Sequence, residues 1–111
     1  GYVDVYEGSA YKIDSSYHQG ITWPWLLGLY YDALKNTMMI EKNRSKRQEL
    51  EEKITNLVDT TKETFRAEMF ERSSIGTISE IYDSTEPYEE RGAFAQAWSV
   101  AEIFRIVLNK R

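Results

Sequence analysis

Cysteine is absent from this 111-residue chain. That excludes a disulfide framework and a thiolate metal site, and it fits a cytoplasmic protein, the location expected here. Histidine occurs once, at His18. With no second imidazole to complete a ligand set, no metal is expected, and no other cofactor is either. No apolar run is long enough to span a bilayer, and no signal peptide is visible at the start, so no membrane partner is expected. Positive charge is not in excess: 14 Lys and Arg stand against 18 Asp and Glu, for a net charge of −4. That balance argues against a nucleic-acid footprint. Internal repeats and low-complexity tracts are also missing. The chain opens on Gly1 and not on Met, which suggests a processed or excerpted sequence.

What remains is short and rich in aromatics. The length suits one small domain, 1–111, or a piece of a larger one, with a single modest core and a thin margin of stability. Aromatic residues make up 14% of the chain. Tyrosines crowd the first half, at Tyr2, Tyr6, Tyr11, Tyr17, Tyr30 and Tyr31. Trp23, Trp25 and Trp98 fall at expected helix starts. Such rings serve either as core or as platforms for sugars, whose C–H faces are apolar while their hydroxyls need polar partners. Composition leaves both uses open.

Residues 1–16 show no helical period and read as extended chain or loop. A first helix is expected over 23–36, with Thr22 as N-cap and Pro24 in the first turn. It is apolar nearly all round, so it should be buried on more than one side. Gly28 in its middle costs roughly 1 kcal/mol against Ala, which a close helix crossing or a close ligand would explain. A second helix is expected over 45–71, with Ser45 and Gln48 as a capping box. Leu50, Ile54, Leu57, Val58, Thr61, Phe65 and Met69 form its apolar stripe, and the opposite face is charged and solvated. Residues 73–94 have no helical period, yet Ile75, Ile78 and Ile81 keep them from reading as a disordered linker. Glu86-Pro87-Tyr88 marks a turn. A third helix is expected over 95–109, with Val100, Ala101, Phe104, Val107 and Leu108 as its main stripe. Gln96 and Ser99 lie in its first turns, and Asn109-Lys110-Arg111 suit the negative end of its dipole. Two nearly all-apolar helices around one amphipathic helix suggest a slice of a double-layered helical toroid. The fold class expected is all-α.

Two long motifs carry a family resemblance. Tyr17-His18-Gln19-Gly20-Ile21-Thr22-Trp23-Pro24-Trp25-Leu26-Leu27-Gly28 resembles one signature of the glycogen debranching enzyme family. The run from Ile75 to Asp83, with Arg91-Gly92-Ala93-Phe94-Ala95-Gln96-Ala97-Trp98-Ser99-Val100-Ala101-Glu102, resembles a second. Both lie in the C-terminal part of that family's amylo-α-1,6-glucosidase domain, and the resemblance runs from about Asp14 onward. It implies a three-helix fragment of an (α/α)6 toroid that is several times longer. It implies inverting hydrolysis of the α-1,6-linked glucose at a branch point, with glycogen or branched α-glucan as partner. Glu80 matches the general base. The general acid belongs to an earlier part of the family's domain and has no counterpart here. Ser84 stands where the family often has Gly.

Inverting hydrolysis needs two carboxyl groups roughly 6.5–9.5 Å apart, with a water between one of them and the sugar. Glu80, in a loop of mixed polarity, fits the base; Asp83 reads as a residue that hydrogen-bonds the loop. The candidate substrate-binding residues are His18, Gln19, Trp23, Trp25, Gln96 and Trp98. For His18 and Gln96, contact with sugar hydroxyls and a structural role both stay open, and the tryptophans divide between wall packing and stacking. The leading expectation is the C-terminal portion of an α-1,6-glucosidase, inactive alone. The alternative is a non-catalytic carbohydrate-binding or assembly module. Self-association, or pairing with the rest of a toroid, should cover the apolar helices.

Overall fold

A computed structural model describes residues 1–72 and 75–108. Ser73, at the start of the expected loop, and the Asn109-Lys110-Arg111 end of the expected last helix lie outside the described residues. Those described form four helices: α1 (Ala10–Ser16), α2 (Leu26–Ile40), α3 (Arg44–Glu71) and α4 (Ala97–Leu108). A small antiparallel ladder joins β1 (Ile81–Tyr82) to β2 (Glu90–Arg91), with Ile81 opposite Arg91 and Tyr82 opposite Glu90. The chain is therefore mainly helical, as its apolar periods predict.

Helices α2, α3 and α4 pack pairwise on one another. Tyr31, Val58 and Ile106 meet at one centre, supported by Leu27, Ile54 and Leu57. Met69, Ile78, Tyr82 and Ile103 form a second, where the long loop enters between α3 and α4. The 28 residues of α3 account for the elongated shape, 51 × 33 × 22 Å, since a helix rises about 1.5 Å per residue. Its stripe turns inward and its charged face outward, as expected, but the stripe also holds buried Glu68.

Several local expectations fail for identifiable reasons. Residues 10–16 are helical, although they show no apolar period. Seven residues make too few turns for a period to register, and the start is marked only by Ser9, whose side chain caps Lys12 N. Thr22 does not cap α2. It exchanges two 2.9 Å backbone hydrogen bonds with Tyr82, which draws the chain before α2 onto β1. The first turn is closed by backbone bonds from Leu26, Leu27 and Gly28 to Trp23, Pro24 and Trp25, so Pro24 sits where no donor is needed. Asn43, not Ser45, caps α3 by accepting from Lys46 N at 3.1 Å. On α4 the buried line is Ser99, Ile103 and Ile106; Ala101, Phe104 and Leu108, read as part of the main stripe, are exposed.

Gly28 marks a close helix crossing. A Cβ there would collide with the Glu102 carboxylate of α4 and come within 2.9 Å of Arg105 Nη2. Arg105 braces this crossing, donating to both oxygens of Asp32 on α2 at 2.8 and 3.0 Å and to Glu102 at 2.6 Å.

Candidate functional site

The segment 76–84 is tied down on every side by backbone bonds. Gly76 N reaches Met69 O at 2.7 Å, Gln96 N reaches Ile78 O at 2.9 Å, and Glu80 N reaches Ala93 O at 2.8 Å. Tyr82 pairs with Thr22, and Asp83 N reaches Glu89 O at 2.9 Å. Pairing of this kind is what a largely buried backbone demands. Asp83 is buried and acts as a strut. Arg91 donates Nε and Nη2 to its Oδ2 at 3.1 and 2.8 Å, and Tyr6 N donates to Oδ1 at 2.7 Å. The Asp83 carboxylate in turn holds the Arg91 guanidinium above its ordinary pKa. Tyr82 is anchored from the opposite side: its hydroxyl donates to buried Glu68 at 2.8 Å. Burial, then that hydrogen bond, raises the Tyr82 pKa.

Glu80 is half-buried between these struts. Its Oε2 accepts from Ala93 N at 2.9 Å, and its Oε1 accepts from the Tyr17 hydroxyl. Gly92 has φ +69°, and a Cβ there would run into Glu80 Oε2. The Gly92–Ala93 turn therefore wraps the carboxylate so closely that glycine is required on both steric and conformational grounds. Burial, then the hydrogen bond and charge of Glu80, push the Tyr17 pKa up to about 12.

Aromatic rings surround this carboxylate. Tyr17 meets Trp23 edge-on at 4.7 Å and His18 at 4.8 Å. His18 stacks on Trp23 at 5.1 Å with the planes 11° apart. Trp98, from the start of α4, stacks on Trp25 at 5.5 Å. Trp23 Nε1 donates to the backbone carbonyl of Tyr17 at 3.2 Å, which fixes the Trp23 ring relative to the backbone. These side chains line an open cleft of about 490 Å³, together with Leu26, Glu80 and Gln96. Ligand pockets commonly enclose about 300–1,000 Å³. Apolar ring faces, an amide, an imidazole and a carboxylate in one cleft are the surfaces a polyhydroxylated ring would need.

Of the residues singled out from sequence, His18, Trp23, Trp25, Glu80, Gln96 and Trp98 come together here. Gln19 does not. Its side chain is exposed, and its backbone carbonyl accepts from Val3 N. Gly20, at φ +138°, lets residues 2–3 pack closely against the turn after α1. Ser99 is fully buried, with no partner for its hydroxyl among the described residues, and does not line the cleft. Sequence reasoning missed Tyr17 and Leu26. Tyr17 heads the first motif beside His18, and that adjacency was the available signal. Glu80 is the one acid among the described residues lining the cleft. No group of three or more His, Asp or Glu that could hold a metal occurs among the described residues. No helix among them is long and apolar enough to cross a membrane.

The family model described as amylo-alpha-1,6-glucosidase matches residues 1–105. The match reaches back past Asp14 to the first residue, so it includes Tyr6, whose backbone N–H braces Asp83. No curated protein and no solved structure matches.

Proposed function

We propose that this chain, which belongs to the amylo-alpha-1,6-glucosidase family, forms the part of a debranching glucosidase that carries the general base. In this reading Glu80 takes a proton from a water, and that water attacks the anomeric carbon of an α-1,6-linked glucose. A general acid from another part of an (α/α)6 toroid protonates the departing glycosidic oxygen, and the configuration inverts. The observation that carries the reading is the held carboxylate in an aromatic cleft. Glu80 accepts one hydrogen bond on each oxygen, and an ionised carboxylate offers about four acceptor positions. Capacity is left for a water. Trp25 and Trp98 offer faces to the C–H side of a sugar, and His18 and Gln96 offer polar groups to its hydroxyls.

The test is Glu80→Gln in an intact enzyme carrying this sequence. The amide keeps the shape and removes the base, so turnover of a branched α-glucan should fall about 10²–10⁴-fold, with binding nearly unchanged. Azide should restore turnover and yield a β-configured glucosyl azide. Near-normal turnover in a folded Glu80→Gln enzyme would overturn the assignment.

A second reading is a non-catalytic glucan-binding module. It is favoured by Glu80 being the one acid among the described residues that line the cleft. Glucan binding by an intact protein whose turnover is indifferent to Glu80→Gln would support it.

A further inference from the structure

Glu80 has three rotatable side-chain bonds, and a base must be aimed. One anchor, Ala93 N, comes from the turn beside it. The other, the Tyr17 hydroxyl, comes from 63 residues earlier in the chain. Tyr17 is the residue that ends α1. Its ring is held by Tyr6 at 5.6 Å, His18 at 4.8 Å and Trp23 at 4.7 Å. Its carbonyl is held by Trp23 Nε1. A hydroxyl on a ring packed this way can point in few directions.

We propose that Tyr17 is a positioning residue for the general base: its hydroxyl pins Glu80 Oε1 against the Gly92–Ala93 turn and so fixes where the attacking water is deprotonated. This rests on the reading of Glu80 given above. Aiming matters because a displacement of about 1 Å can cost about 10²-fold in rate. Tyr17 suits the task as a donor and not as a second base, since its pKa is pushed up to about 12 and it keeps its proton at neutral pH. It also explains α1. That short helix buries little beyond Ser16, yet it delivers Tyr17 to the carboxylate.

The experiment is a double-mutant cycle in an intact enzyme carrying this sequence. Tyr17→Phe keeps the ring contacts and removes the hydroxyl. Its kcat should fall about 10–100-fold with KM nearly unchanged, the pattern of an interaction that matters in the transition state. In a Glu80→Gln background the same substitution should cost nothing further, because no base is left to aim. An equal loss in both backgrounds overturns the proposal, since a purely structural role would act in either. Unchanged kcat in Tyr17→Phe beside an impaired Glu80→Gln also overturns it, and leaves Glu80 as the base. Near-normal turnover in Glu80→Gln overturns the base assignment and the inference with it. If Tyr17→Phe does not fold, tyrosine labelled with ¹³C at Cζ and placed at position 17 alone tests the contact with Glu80 on which the proposal depends. Burial and then Glu80 push the Tyr17 pKa up to about 12, so in Glu80→Gln its titration should move down but stay above the ordinary tyrosine value, because the burial remains. An unmoved titration overturns the proposal.

Discussion

At the scale of single residues, the aim of the Glu80 carboxylate depends on the turn and the ring that hold it. Gly92→Ala tests this. Placing a Cβ at φ +69° costs about 1–2 kcal/mol in backbone strain, and the added carbon must push Glu80 Oε2 aside. Stability should fall by about that amount in denaturant titration, and turnover of the intact enzyme about 10²-fold. A stable variant with full activity would show that the turn does not hold the base. The Tyr17 pKa gives a second residue-scale prediction. Below pH 10, folded and unfolded chains both keep this proton, so the group adds no pH dependence. Between pH 10 and about 12 the unfolded chain loses the proton while the folded chain keeps it, so stability falls as pH rises. In Tyr17→Phe that alkaline fall should be shallower, though not abolished, because the Tyr82 pKa is also raised. Equal slopes in the two proteins would contradict it. Glu80, His18, Gln96 and the tryptophans were legible because whole motifs carry them. The hydrogen bond from Tyr17 was not, because nothing local to either residue encodes a contact across 63 positions.

At the scale of elements, the crossing of α2 and α4 is decided by Gly28 and Glu102. Alanine is favoured over glycine inside a helix by roughly 1 kcal/mol, yet a Cβ at Gly28 meets the Glu102 carboxylate. That carboxylate is the end of a flexible side chain, but Arg105 holds it at 2.6 Å. Gly28→Ala alone should therefore gain little or lose stability. The same change in a Glu102→Ala background should recover part of that roughly 1 kcal/mol, because Arg105 Nη2, held on Asp32, still lies 2.9 Å from the new Cβ; Tm should rise relative to Glu102→Ala alone. A full gain without removing Glu102 would show that the helices have room to spare. The three long helices were readable from their apolar periods, and Gly28 itself signalled a close approach. The caps were not readable: Thr22 is taken by Tyr82, 60 residues away in sequence, and Asn43 competes with Ser45 two positions on. Helix α1, at seven residues, and the β1–β2 ladder, at two residues a strand, are too short for any period to show.

At the scale of the whole molecule, the three long helices do not cover one another's apolar surface. Leu26, Leu29, Tyr30 and Ala33 share an exposed face of α2. Ala97, Ala101, Phe104 and Leu108 share an exposed face of α4, with Trp98 beside it at 50% exposure. These are the same two helices that the sequence marks as apolar nearly all round, and α3 can bury only one side of each. A toroid would cover the remaining sides with neighbouring helices. Without them, apolar faces of this kind find another surface. The chain alone should therefore self-associate, and sedimentation should show species larger than a monomer at raised concentration. Replacing Leu29 and Phe104 by Lys should shift that distribution toward monomer, because a charge on each face must be desolvated for the contact to form. Neither residue contributes to the buried core clusters, so far-UV circular dichroism should stay helical in the variant. A clean monomer at high concentration, with no binding of an apolar dye, would show that the two faces are satisfied within the chain and would remove this support for a larger toroid.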